Sequence, residues 1–142
     1  MAGGLLCAGA LAGCSSAVEV TAPPQAGTAA CTAAASHWPA TISGQERVET
    51  TAGTEAVAAW GDPPVVARCG VSALGPTTEQ CLSVDGVDWV VREASDGAVL
   101  TTFGRDPAIE VLVPDAYAPE PLLLPAFAEA ARALPSNGRT CD

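Results

Sequence analysis

Two stretches of the chain alternate apolar and polar positions with period two. In PVVARCGV, residues 64–71, Val65, Ala67, Cys69 and Val71 alternate with Val66, Arg68 and Gly70; in VDWVVR, residues 87–92, Val87, Trp89 and Val91 alternate with Asp88, Val90 and Arg92. This is the signature of strands with one face buried, because successive side chains of a strand point to opposite sides. A third run, AVLTTFG at 98–104, follows the turn residues Ser95, Asp96 and Gly97, and a fourth, AIEVLV at 108–113, follows the turn GRDP at 104–107. RVETTAG, residues 47–53, reads as a further edge strand, and TEAVAAW, residues 54–60, as a helical turn or two.

Helices are expected at the two ends of this array. The alanine-rich CTAAASHW, residues 31–38, forms a short one that stops before Pro39. Near the C-terminus, Leu123, Phe127, Ala130 and Leu134 make an apolar stripe, with Pro125 in the first turn and Pro135 at the end. The pattern therefore predicts an α+β domain of about four mostly antiparallel strands, with an N-terminal and a C-terminal helix on one face.

The start of the chain has a different pattern. GLLCAGALAG, residues 4–13, is a short apolar run ending in small residues, as in a secretory leader, and it falls short of the roughly 20 residues that cross a bilayer. Leu11, Ala12, Gly13 and Cys14 match the bacterial lipobox. That match implies acylation of the Cys14 thiol, a good nucleophile once ionised, and stable anchoring by two acyl chains. Met1 to Gly4 lack the positive charge of a leader's first segment, which points to a start upstream of Met1. SSAVEVTAPPQAGTAA follows, rich in small residues and proline and without apolar periodicity. It reads as a flexible tether. The expected organisation is a leader at 1–13, a tether at 14–30 and one domain at 31–142.

Charge and cysteine content narrow the compartment and the partners. Sixteen acidic residues against six basic ones, all arginine, give a net charge of −10. Scattered arginines argue against nucleic acid, which demands clustered cations, and against electrostatic binding to an anionic membrane. With Cys7 lost in the leader and Cys14 lipidated, Cys31, Cys69, Cys81 and Cys141 remain, an even number that suggests two disulfides outside the cytoplasm. Of three connectivities, the favoured one joins Cys69 to Cys81 across a fold-back and Cys31 to Cys141 across the domain ends. Zinc is disfavoured because the pairs lack CxxC spacing and His37 is the sole histidine. No cofactor is expected.

Three phrases, AWGDPPVVARCGV (59–71), CLSVDGVDW (81–89) and TTFGRDPAIEVLVP (101–114), resemble a family of actinobacterial envelope proteins known only as domain of unknown function 3515, many of them lipoproteins. The resemblance covers roughly residues 31–141. It implies location and lineage and carries no activity.

Candidate chemistry is sparse. Trp60 beside Asp62 in WGDPP offers a ligand wall with a polar anchor, although Asp62 also suits a turn. Asp85 and Gly86 mark a tight turn, and Asp85 with Asp88 lacks the ligand spacing of a calcium loop. Arg105 in GRDP provides a guanidinium for a carboxylate or phosphate, or else simply lies in a turn. The strand phases place Arg68, Asp88, Arg92 and Glu110 opposite Cys69, Trp89 and Val111, which is either a salt-bridged solvent face or a docking face for protein or glycan. Motifs for serine hydrolases, P-loop enzymes and zinc proteases are missing from the sequence. The expected protein is a monomeric lipoprotein at the outer face of the plasma membrane, binding an envelope component or protein partner. The rival reading is an enzyme of cell-wall metabolism using Asp62, Asp88 and Arg105.

Overall fold

The computed structural model describes residues 16–142. Eight antiparallel strands form one sheet: β1 (Thr41–Ile42), β2 (Gln45–Val48), β3 (Val57–Trp60), β4 (Val65–Val71), β5 (Gln80–Val84), β6 (Val87–Ala94), β7 (Gly97–Phe103) and β8 (Ala108–Pro114). Their order, β1-β2-β3-β4-β8-β7-β6-β5, is that of two four-stranded meanders joined where β8 pairs with β4. Residues 72–79 carry the chain from the sheet centre to the far edge. This corrects the expected four-stranded α+β domain. Among the described residues, helix is confined to α1 (Ala29–Ala35), α2 (Ala128–Arg132) and 3-10 turns, of which the longest is Glu120–Phe127.

Each departure has a local cause. TEAVAAW contains β3 rather than helical turns, because all four residues of β3 are buried, Ala58 and Trp60 on one face and Val57 and Ala59 on the other. A strand covered on both sides shows no alternation to read. The C-terminal stripe is buried as expected, yet its backbone is 3-10 up to Phe127, with Pro125 inside, and α-helical only afterwards. Proline lacks the N–H that an α-helix would use there. β5 and β6 meet in a two-residue turn, where Asp85 and Gly86 take φ of 52° and 77°, the left-handed pair that tight hairpins need.

α1 and α2 pack against each other on the same side of the sheet, here called the inner face. Trp38, Trp60 and Phe127 meet there edge to face, with centroids 5.6–6.4 Å apart. Such geometry adds about 0.5–1.5 kcal/mol per pair to the burial of the rings. Both indoles are anchored, Trp38 Nε1 donating to Glu55 O at 2.9 Å and Trp60 Nε1 to Pro39 O at 3.0 Å.

The four cysteines form two disulfides, but not the expected pairs: Cys31 joins Cys69, and Cys81 joins Cys141. Cys69 lies on the inner face, where Cys31 of α1 meets it, while Cys81 points outward and meets the C-terminal segment. The Cys69–Cys81 pairing inferred from spacing fails because the two residues stand on strands at the centre and edge of the sheet and on opposite faces.

Candidate functional site

The outer face of the sheet carries residues whose partners across the strands are fixed by register. Arg68 stands opposite Glu110, Glu110 opposite Thr101 and Thr101 opposite Val90. In the neighbouring row Ala59, Val66, Leu112, Val99 and Arg92 follow one another. Arg68, Asp88, Arg92 and Glu110 thus share this face, and Cys69, Trp89 and Val111 occupy the other.

Two terminal segments cover much of this face. From the N-terminal side, Val18, Val20 and Ala22 pack on Val57, Ala59 and Val66. Val18 pairs with the end of β2, its N–H donating to Glu49 O at 2.8 Å and its carbonyl accepting from Thr51 N at 2.9 Å. Gln25 N donates to Gly70 O at 3.0 Å, at a bulge in β4 where Gly70 has φ of 115°. A Cβ there would lie 2.3 Å from Ala26 N, so only glycine admits this crossing. Residues 18–26 of the expected tether are therefore a strap bonded to the sheet. At the opposite end of the sheet, residues 136–142 return across the outer face: Cys141 is bonded to Cys81, and its N–H donates to Asp88 Oδ2 at 2.8 Å.

Beside the strap a groove of about 610 Å3 stays open. Val66, Val99 and Leu112 line it with Pro63, Pro64 and Pro114, and Leu112 is 37% exposed. Val18 of the strap forms part of one side. The end of the groove is built from two turns and a 3-10 turn held together, with Asp115 N donating to Asp96 O at 2.9 Å and Tyr117 Oη to Pro63 O at 2.7 Å. Its charged residues are Glu19, Asp96 and Asp115, all exposed. A concave, mostly apolar surface of this size is within the range of binding pockets.

The residues singled out from sequence scatter over the molecule. Trp60 is fully buried in the aromatic cluster and is no ligand wall; the Arg47 guanidinium also approaches its ring, at 5.6 Å from the centroid. Asp62 sits exposed in the β3–β4 turn beside a cis Pro63. Asp88 is half-buried at the far end of the sheet, engaged by the C-terminal segment. Arg105 lies at that same end, its Nη1 donating to Leu134 O at 2.8 Å to tie the β7–β8 turn to the end of α2. Asp62 is thus separated by the length of the strands from Asp88 and Arg105, which removes the constellation required by the enzymatic reading. Arg68 donates through Nε and Nη2 to Glu110 Oε1 at 3.1 and 2.6 Å and through Nη1 to Thr21 O at 3.0 Å. Arg92 reaches Glu79 at 4.0 Å. Cys14 lies outside the described residues. Sequence reasoning missed Leu112 and Val99 because an outward apolar residue on a strand looks like ordinary core.

Fold and site together define a single-sheet module with helices on one face and, on the other, an apolar groove bordered by the strap. Residues 6–137 match the family model described as Protein of unknown function (DUF3515), and the chain belongs to that family. No curated protein and no solved structure matches it.

Proposed function

We propose that the protein is an exported lipoprotein of an actinobacterial envelope, held at the outer face of the plasma membrane through Cys14, and that it works as a binding or accessory module for an envelope component or protein partner. The observation that carries the binding role is the groove beside the strap, where Val66 lies at its edge and Leu112 and Val99 stay open among the described residues. Export is supported by the pairing of all four domain cysteines, since disulfides persist in oxidising compartments, and by the lipobox at 11–14. Val18 is bonded to the sheet four residues after Cys14, so a lipid there holds the domain within about 14 Å of its attachment point. Val18 also lines the groove, so in this reading the groove stays within reach of partners at the membrane surface.

The test is mass spectrometry of residue 14 in native protein, together with affinity capture from membranes of the wild type and Cys14→Ser. The expected result is diacylation and loss of captured partners with the anchor. A free Cys14 thiol, or unchanged fractionation of Cys14→Ser, would overturn the reading.

A further inference from the structure

The groove has a chemical bias that its apolar floor alone does not reveal. Glu19, Asp96 and Asp115 stand around it and no arginine lines it. The molecule's arginines are occupied or distant: Arg68 is paired with Glu110, Arg92 with Glu79, Arg105 and Arg132 are bonded to backbone carbonyls, and Arg47 lies over Trp60. Arg139 belongs to the C-terminal segment at the other end of the sheet. With a net charge of −10 behind it, this rim is a field that attracts cations and repels anionic headgroups.

The strap shows what kind of object this face accepts. It is an extended chain whose apolar residues Val18, Val20 and Ala22, spaced by two, rest on Val57, Ala59 and Val66, with Glu19 and Thr21 between them. The row under it continues through Leu112 to Val99, where nothing among the described residues covers Leu112 to the same degree. An extended segment offers side chains to one surface at every second residue, as the strap does with Val18, Val20 and Ala22.

We propose that the groove docks an extended segment of a partner protein in which apolar side chains alternate with lysine or arginine. The apolar side chains cover Leu112 and Val99, and the cations reach Glu19, Asp96 and Asp115. This deepens the binding-module reading and rests on it. A lipid chain would satisfy the floor but gain nothing from the carboxylates.

The experiment uses full-length Cys14→Ser protein and three capped hexapeptides, VKVKVK, SKSKSK and VEVEVE, titrated calorimetrically at two salt concentrations. VKVKVK is expected to bind at least tenfold more tightly than either control. Leu112→Ser is expected to weaken it about tenfold, and Asp96→Asn with Asp115→Asn to weaken it similarly while flattening its salt dependence. Unchanged melting temperatures certify that these exposed substitutions leave the fold intact. Equal binding of SKSKSK, indifference to both sets of substitutions, or no binding of VKVKVK would overturn the proposal. So would Leu112-dependent binding of phosphatidylcholine vesicles in place of peptide, which would make the occupant a lipid. None of these readouts depends on acylation of Cys14, so the docking chemistry and the anchored-module reading can fail separately.

Discussion

Arg68 and Glu110 face each other across β4 and β8 as a partly buried ion pair, their side chains 25% and 15% exposed, and the remaining Arg68 nitrogen holds the strap at Thr21 O. One guanidinium therefore joins two central strands to the covering segment. Arg68→Ala leaves the Glu110 carboxylate without its cation and releases the strap. A loss of about 2–3 kcal/mol is expected, in the range for a charged hydrogen-bonding partner removed from a partly buried site. Chemical denaturation checks it, and a cycle with Glu110→Gln should show that the two losses are not additive.

Gly70→Ala should cost about as much by a different route. The substitution forces a Cβ at positive φ into the backbone at Ala26, so either β4 or the turn before α1 must move. Hydrogen exchange should locate the effect in residues 18–28 first. Protection there equal to wild type would show that the crossing does not depend on glycine.

The two disulfides should separate by access. Cys31 and Cys69 are both fully buried, whereas Cys81 and Cys141 are half-buried. Mild reductant without denaturant is expected to open Cys81–Cys141 first, and peptide mapping without reduction should recover the 31–69 and 81–141 pairs. The loops span 38 and 60 residues, so each link contributes about 4 kcal/mol in the chain-entropy model. Cys31→Ser with Cys69→Ser should lower the melting temperature accordingly.

Trp60→Ala should destabilise by about 3–5 kcal/mol, the usual cost of removing a buried aromatic ring. Peptide binding at the groove should be unchanged in the folded fraction, because Trp60 lies on the inner face. A calorimetric titration on that fraction distinguishes a packing role from contact with a ligand.

The sequence disclosed those parts of the fold in which one face of a strand meets core and the other does not. The phases of β4 and β6 are visible in Val65 to Val71 and Val87 to Arg92, and they correctly separate Arg68 and Asp88 from Cys69 and Trp89. β3 escaped because its neighbours bury both faces and because alanine favours helix in isolation. β5 escaped because Cys81 to Val84 are too few to show a period before the turn at Asp85. The strap escaped for a related reason: Val18, Val20 and Ala22 do alternate, but the prolines and small residues after them mask so short a signal. Disulfide connectivity depends on which face each cysteine takes and on strand order, neither of which spacing encodes. The groove is a gap between chain segments distant in sequence, so no local pattern announces it.

The C-terminal segment on the outer face also decides how the molecule can be handled. Asp142 follows Cys141 on that side, so a fluorophore, affinity handle or fusion partner spliced to the C-terminus stands at the outer face. Leu122, 73% exposed on the helical side, is the better place for a reporter, since a probe there looks away from the groove.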